Sequence, residues 1–277
     1  MRVTMILLAL AGMSGCDRNV SKDDGTATAK PVALTYEGGD YQTDAAKIAH
    51  GKRLADLLDC TGCHGADFQG TNLNAEDPKK NAMYAPNITL LLGQYDDAAL
   101  DRLIREGVPR DGREFWFMPV ESYQFLSDAD LAALTAFLRT VQPAGRQRPP
   151  FRKDRDTERE VAEGLLGNAQ QQIAKYRGQP PVDLGPQHAW GRYLAQTTCT
   201  QCHNNALQGW KDFTPDLHIA GTYMPAELET LLTTGKGKAK PDLGMMSDMG
   251  RRVFSRFTPR ERAAVIAYVK ARADRAN

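Results

Sequence analysis

The chain has 277 residues, of which 42% are hydrophobic and 25% charged, and its formal net charge is +1. This length suits two ordinary domains of about 100 residues each. The composition is that of a soluble globular protein. The longest apolar run lies near the N-terminus, and it is shorter than the roughly 20 residues that a membrane-spanning helix needs.

The first sixteen residues have the layout of a secretory signal peptide. A basic start at Arg2 leads into an apolar stretch at residues 5–11 and then into small residues before Cys16. Residues 13–16, Met-Ser-Gly-Cys, resemble a bacterial lipobox, in which the cysteine becomes the lipidated first residue after cleavage. The alternative is an ordinary signal peptide cut nearby, which would leave Cys16 as a free thiol.

Cys16 is the one cysteine of five that lies outside the two motifs described below. An unpaired thiol is a liability in an oxidising compartment, and lipidation would remove it. We therefore predict a lipid anchor at Cys16, on the periplasmic side of a bacterial inner membrane, with a soluble periplasmic protein as the alternative. Residues 17–40 have little to bury and are predicted to be a flexible tether.

An internal repeat follows the tether. The pattern Gly-basic-x-Leu-Ala occurs at residues 51–55 and again at 191–195, each time just before a Cys-x-x-Cys-His motif. Residues 98–107 correspond to residues 226–235, and both are amphipathic helical patterns closed by a glycine. The sequence therefore contains one structural unit twice.

Each unit ends in a similar helical pattern with a capping signal at its start. In the first unit Ser127 is followed three residues later by Asp130, and in the second unit Thr258 is followed by Glu261. No alternating strand pattern of useful length occurs in the sequence. We therefore predict an all-α fold with two tandem helical domains.

The two predicted domains cover residues 41–140 and 188–277. Between them, residues 141–187 form a long linker rich in proline, arginine, aspartate and glutamine. Inside it we predict a helix from about Thr157 to Tyr176. Because this segment is too long for a simple hinge, we expect it to pack across one or both domains.

The motifs that carry the chemistry are at residues 60–64 and 199–203, and both read Cys-x-x-Cys-His. This spacing is the signature of c-type haem attachment. The two thiols, about one helical turn apart, add to the two vinyl groups of one haem, and the adjacent histidine binds the iron. The sequence therefore predicts two covalently bound haem c groups, held by Cys60, Cys63 and His64 and by Cys199, Cys202 and His203.

Two alternative interpretations of these cysteines have less support from the sequence. A thioredoxin-like redox site needs its Cys-x-x-Cys on a βαβ framework, which the sequence lacks. A structural zinc site pairs cysteines a few tens of residues apart. Here Cys60 and Cys199 are 139 positions apart, each inside its own repeated unit.

The second axial ligand of each iron has several candidates among the methionines and histidines after the signal segment. They are Met83, Met118, Met224, Met245, Met246, Met249, His50, His188 and His218. A methionine is by default a filler of the core, but position separates these. Met118 lies eight residues before Leu126 near the last helix of the first unit, and residues 244–249 occupy the equivalent loop of the second.

Both units resemble class I c-type cytochrome domains, over residues 45–140 and 188–273. The first is similar to haem domains of cytochrome subunits that serve membrane dehydrogenases, on the strength of residues 85–89 and of Phe-Met-Pro at 117–119. The second resembles dihaem-cytochrome domains with a Leu-x-Met-Ser pattern followed by Phe-Ser, matched by residues 243–255.

In class I domains a histidine and a methionine hold the iron, and the methionine comes from the loop before the last helix. The resemblance therefore implies Met118 in the first unit and Met246 in the second. Met249 is the main rival, because it keeps the same eight-residue distance to Phe257 that Met118 keeps to Leu126.

The resemblance also implies that proline carbonyls, at Pro86 and Pro215, accept the hydrogen bond from the outer nitrogen of the motif histidines.

An iron with both axial positions filled has no place for a substrate, and thioether ligation raises its reduction potential. We therefore expect an electron-transfer protein, not an enzyme, which passes single electrons between periplasmic or membrane redox partners by outer-sphere transfer. A dehydrogenase is the expected donor, a cytochrome or oxidase the expected acceptor, and no nucleic acid is expected as a partner. The alternatives are a dihaem enzyme such as a peroxidase, with one open coordination site, and a haem-based sensor.

The two predicted domains have opposite net charges. Residues 41–140 contain 10 basic and 15 acidic residues, whereas residues 188–277 contain 13 basic and 8 acidic ones. Opposite poles can orient a carrier between donor and acceptor. The simpler reading is that the two domains attract each other.

Overall fold

The computed structural model describes residues 34–77 and 80–275, and their secondary structure is helical. The helices of the first unit are α1 Asp44–Leu57, α2 Cys60–His64, α3 Ile88–Leu91, α4 Asp97–Glu106, α5 Val120–Tyr123 and α6 Asp128–Leu138. The linker contains α7 Arg155–Ala162 and α8 Ala169–Arg177. The helices of the second unit are α9 Ala189–Thr198, α10 Thr200–His203, α11 Pro225–Thr234, α12 Met245–Arg252 and α13 Pro259–Arg275.

The predicted all-α class is confirmed. Apart from the helices, the described residues form short 3-10 turns and two isolated β-bridges, and no strand occurs among them. Within the same residues, none of the helices has the length and apolar character needed to cross a bilayer.

Each unit is built on the crossing of its first and last helices, α1 with α6 and α9 with α13. A glycine lies at each crossing. A Cβ atom added to Gly51 would lie 1.9 Å from the carbonyl oxygen of Ala133, and one added to Gly191 would lie 2.1 Å from that of Ala264. Because such distances are far inside van der Waals contact, each crossing requires a glycine. The repeated glycine in the sequence therefore marks the same helix contact in both units.

The predicted helix starts are also confirmed. The Ser127 hydroxyl accepts a hydrogen bond of 3.1 Å from the backbone N–H of Asp130. At α13 the cap is reciprocal, since Glu261 N–H donates to Thr258 Oγ1 at 3.1 Å and Thr258 N–H donates to Glu261 Oε2 at 2.8 Å. An acid thus occupies the third position of the last helix in both units.

One continuous hydrophobic core runs through both units. Its fully buried members include Leu54 and Leu134 in the first unit and Leu194 and Tyr268 in the second. The two units are therefore packed against each other and share apolar burial.

The segment before α1 lies in this contact. Tyr36 is almost fully buried, its backbone N–H donates to Asp130 Oδ2 at 3.1 Å, and its hydroxyl lies 2.7 Å from Thr197 Oγ1. The predicted tether of residues 17–40 is therefore wrong for residues 34–40, because the aromatic ring of Tyr36 gives that stretch something large to bury. Residues 17–33 lie outside the described part of the chain.

Two polar contacts join the units reciprocally. The Tyr193 hydroxyl of α9 donates to Asp130 Oδ2 of α6 at 2.6 Å, and the Arg53 guanidinium of α1 donates to Glu261 Oε2 of α13 at 2.8 Å. Both acids are the capping acids of the last helices and are fully buried. Both donors stand two positions after the glycine of the helix crossing. The interface is therefore approximately twofold symmetric.

The linker is partly helical, but its single predicted helix from Thr157 to Tyr176 is wrong. The helix is interrupted between α7 and α8, where Gly164 has a φ of +71° and Asn168 forms a new capping box. The linker contacts both units. The backbone N–H of Ala169 donates to the Phe115 carbonyl of the first unit at 2.8 Å, and the carbonyl of Tyr176 accepts a bond of 2.5 Å from the second unit's Asn205.

Candidate functional sites

The two Cys-x-x-Cys-His motifs form short helical turns at equivalent places. In the first unit α2 begins at Cys60 and ends at His64, and in the second α10 follows Cys199 directly and ends at His203. Residues three apart on a helix lie on the same face, so each pair of thiols faces one direction. All four cysteine side chains are partly buried.

The chain leaves each motif through the same tight turn. The N–H of Gly70 donates to the His64 carbonyl at 2.7 Å, and the N–H of Gly209 donates to the His203 carbonyl at 2.7 Å. Both glycines have positive φ, +79° and +74°, and a Cβ on either would lie 2.2 Å from a backbone carbonyl oxygen. These turns therefore need glycine, and they bring the following loop back under the histidine.

Both motif histidines are held by a proline carbonyl, as the resemblance implied. His64 Nδ1 donates to Pro86 O at 3.0 Å, and His203 Nδ1 donates to Pro215 O at 2.8 Å. Since a carbonyl can only accept, the proton is on Nδ1 and the lone pair is on Nε2. Burial lowers the pKa of both histidines, which favours the neutral imidazole that binds a metal ion.

The loop of Met118 is conformationally constrained. The residue before it, Phe117, has a φ of +63°, which is rare for an aromatic residue. Two successive tight turns follow, from Met118 N–H to the Trp116 carbonyl at 2.9 Å and from Val120 N–H to the Met118 carbonyl at 2.8 Å. Strained backbone persists where the surrounding structure enforces it, and it is concentrated at functional sites.

The linker supports this loop. Met118 and Phe115 pack against a small apolar cluster formed by Val120 of α5 and by Ala169 and Ile173 of α8. Met118 also contacts the main core. The Met118 side chain is thus placed between the body of the first unit and the linker helix.

The second unit offers three neighbouring methionines in α12 and at its start. Met245 is 55% exposed, whereas Met246 and Met249 are partly buried and pack against the main core. The latter two are three residues apart and therefore share one face of the helix. Exposure distinguishes Met245 from the other two methionines, but it does not indicate whether Met246 or Met249 is the better candidate for the iron ligand.

Two of the other candidate ligands have different surroundings. His50 is buried in the interface between the units, where its Nε2 donates to Asp130 Oδ1 at 2.8 Å. Met224 is 65% exposed at the start of α11. His50 is therefore a structural residue of the interface and Met224 a surface residue.

The structure brings together residues near the motifs that the sequence did not connect. The Asp59 carboxylate, next to Cys60, forms an ion pair with the Arg252 guanidinium at the end of α12. Ser122 Oγ of α5 lies 2.7 Å from Thr200 Oγ1 inside the second motif. These partners are 193 and 78 positions apart, and no local pattern signals such contacts.

The residues present fit a covalently attached haem in each unit. Two thiols share a helix face, and a neutral imidazole with its lone pair on Nε2 follows directly. In each unit the two cysteines and the histidine of the motif lie together on one short helical turn, and Cys16 lies outside the described residues.

Comparison with known proteins agrees with this geometry. The family model described as cytochrome c matches residues 48–142 and residues 189–273. One subunit of the nicotinate dehydrogenase of Pseudomonas putida is 31% identical over 197 residues, which cover 64% of this chain and 16% of that protein.

Two further relatives are described as cytochrome subunits. The gluconate 2-dehydrogenase cytochrome c subunit of Pantoea cypripedii is 30% identical over 185 residues, or 59% of this chain and 39% of that protein. The fructose dehydrogenase cytochrome subunit of Gluconobacter japonicus is 29% identical over 171 residues, or 56% and 34%. The chain therefore spans well under half the length of these three relatives.

Proposed function

The chain belongs to the cytochrome c family, with two such domains in tandem, and from this premise we propose that it carries single electrons between periplasmic or membrane redox partners by outer-sphere transfer. The observation that supports this most is the repeated arrangement of each motif histidine, neutral and fixed by a proline carbonyl. Haem bound at such a site supplies an iron that accepts and returns one electron.

We propose that each unit holds one haem c and gives its iron two protein ligands. In the first unit these are His64 and Met118, and in the second His203 and Met246, with Met249 as the rival. The proline carbonyls keep the imidazole rings in one orientation. Two side chains would then hold each iron and would leave no place on it for a substrate, as a carrier requires.

A dehydrogenase is the proposed electron donor, and a cytochrome or oxidase the acceptor. Support comes from the relatives, two of which are described as cytochrome subunits of gluconate and fructose dehydrogenases. The opposite charges of the two domains provide a means of orienting the chain between them. Rates of reduction by a donor dehydrogenase should then fall as ionic strength rises, and rates that ignore salt would count against this steering.

The proposed location is the periplasmic face of the inner membrane, with a lipid anchor at Cys16. Residues 1–16 are the proposed signal peptide, and a soluble periplasmic protein is the alternative. Expression of wild type and Cys16→Ser in a bacterium, followed by membrane fractionation and fatty-acid labelling, distinguishes the two. Label in the wild type alone, with release of the variant from membranes, supports the anchor; two unlabelled, soluble proteins support the alternative.

Spectroscopy of the haem-loaded protein tests the proposed ligands and the function together. The weak near-red band of methionine-ligated Fe(III), quantified per haem, should amount to two equivalents. The reduced protein should not bind carbon monoxide. One equivalent of the band together with carbon monoxide binding at the other haem would overturn the carrier proposal and favour an open site, as in a peroxidase.

A further inference from the structure

An ion pair joins the start of the first haem-attachment motif to α12 of the second unit. Asp59, which directly precedes Cys60, adopts a left-handed conformation with a φ of 58°. Its carboxylate pairs with the Arg252 guanidinium of α12, and a second contact joins Arg252 Nη2 to Asp59 Oδ2 at 3.3 Å. We call Asp59 and Arg252 the junction pair.

Each member of the junction pair lies beside one of the two proposed haem sites. Asp59 directly precedes Cys60 of the first motif. Arg252 belongs to α12, the helix that carries the candidate methionines of the second unit, and its Nη2 lies 3.7 Å from Met249 Sδ. The junction pair therefore reaches from the first motif to a candidate ligand of the second unit.

A second contact holds the same region together. Ser122 Oγ and Thr200 Oγ1 are 2.7 Å apart and buried, and Thr200 lies between Cys199 and Cys202. The next residue along, Tyr123, donates its hydroxyl to the carbonyl of Leu58 at 2.5 Å, one position before Asp59. The segment after Met118 therefore contacts the backbone just before the first motif and the middle of the second motif.

The exposure of the junction pair suits an electrostatic role better than a stabilising one. The Asp59 side chain is 19% exposed and that of Arg252 41% exposed. Ion pairs with this much access to water contribute little to stability. Their charges still act on nearby groups, because the side facing the protein has a lower effective dielectric than water.

We propose that the junction pair is a charge element shared by both haem sites, which sets the two reduction potentials together. The inference rests on the proposed function only in requiring a haem at each motif. A carboxylate near an iron stabilises the more positive oxidised state, so Asp59 lowers both potentials. The Arg252 guanidinium raises both, for the same electrostatic reason.

Redox titration of the haem-loaded protein, followed by visible absorption, tests this directly. Asp59→Asn should raise both midpoint potentials, and Arg252→Gln should lower both. Arg252→Lys, which keeps the charge, should leave them close to wild type, and the Asp59→Asn/Arg252→Gln double variant should return towards wild type. Repeating the titrations in a Met118→His background, in which the first haem titrates at lower potential, assigns each midpoint to its unit.

Asp128→Asn is the matched control. This carboxylate pairs with Arg105 at 2.8 Å at the start of α6 in the first unit and is 96% exposed, so that water and salt screen its charge. Its loss should move neither midpoint. A shift in the first haem alone on changing Asp59 and Arg252, or no shift in either haem, would overturn the proposal.

A failure of the junction-pair proposal can be distinguished from a failure of the proposed function. Haem content is measured first by the pyridine haemochrome assay. A wild-type chain with fewer than two haems contradicts the proposed function itself. If Asp59→Asn impairs haem attachment at the neighbouring Cys60, the Arg252→Gln variant still tests the proposal, because Arg252 lies outside the motifs.

Discussion

The hydroxyl of Tyr193 lies 2.6 Å from the carboxylate of Asp130, and this contact joins the first helix of one unit to the last helix of the other. Asp130 is fully buried and accepts further hydrogen bonds from the Tyr36 N–H and from His50 Nε2. Burial, followed by the Asp130 charge, raises the pKa of Tyr193 well above its usual range. The hydroxyl therefore keeps its proton and remains a donor.

Replacing Tyr193 by phenylalanine should lower the free energy of unfolding. The change deprives a buried carboxylate of one donor, which costs about 1–3 kcal/mol. Denaturant unfolding of the haem-loaded protein measures the loss. Tyr41→Phe is the matched control, since its hydroxyl donates to the neutral carbonyl of Ala129 at 3.2 Å. Equal losses in the two variants would show that the buried carboxylate adds nothing.

Replacing Arg53 by alanine should destabilise the protein more strongly. Its partner Glu261 is fully buried, so the change leaves an uncompensated charge inside the interface, at a cost of about 3–5 kcal/mol. Arg105→Ala breaks a pair of the same length with Asp128, which is 96% exposed, and should cost only about 0–1 kcal/mol. Thermal unfolding of both variants checks the difference, and a similar small effect in both would contradict it.

The two helix crossings should not tolerate a methyl group. Gly51→Ala and Gly191→Ala each place a Cβ on a backbone carbonyl, so both helix pairs must separate, at a cost of about 1–3 kcal/mol or more. Gly93→Ala is the control, because a Cβ there meets no atom within 4 Å. The yield of haem-loaded protein and its unfolding midpoint should fall in the first two variants only.

Single alanine variants should identify the methionine of the second unit. Removing the true ligand, Met246 or Met249, should abolish one of two equivalents of the near-red band. Met245→Ala should keep both, since this side chain is exposed. Loss of the band in the Met249 variant alone would transfer the assignment from Met246 to Met249.

Stability should fall between pH 4.5 and 7 because of one carboxyl group. Burial raises the pKa of Glu121 from its ordinary 4.5 to about 7. In this range the folded chain still holds a proton that the unfolded chain has lost, so unfolding becomes easier as pH rises. Unfolding free energies at pH 5 and 8 should show a decrease of roughly 1–3 kcal/mol from this group.

The variant Glu121→Gln should remove that part of the pH dependence. Glu114→Gln is the comparison, because Glu114 is exposed and its pKa is lowered by the hydrogen bond from Lys153. A wild-type pH profile in the Glu121 variant would rule out this group as the source.

The features that could be predicted from the sequence are those determined by interactions between neighbouring residues. Helix caps such as Thr258 with Glu261, the glycine at position 51 and the spacing of Cys60 and Cys63 all act over a few residues, and each was in place in the structure. The class of fold and the proposed haem-attachment residues follow from such signals. The resemblance to class I domains supplied the proline carbonyl at Pro86.

The features that could not be predicted depend on distant partners. Tyr36 was predicted to be part of a flexible tether, because the residues that bury its ring and bind its hydroxyl, such as Thr197, are far away in the sequence. The pairing of Asp59 with Arg252 spans 193 positions. The break between α7 and α8 was missed because the helical periodicity continues across Gly164, where the backbone turns to positive φ.

The reciprocal contacts of Tyr193 with Asp130 and of Arg53 with Glu261 bear on how the two units pack. Because the same patch is used on both units, the interface has the isologous form of a C2 homodimer. The two units therefore recognise each other through equivalent surfaces, and the linker does not have to specify how they pack.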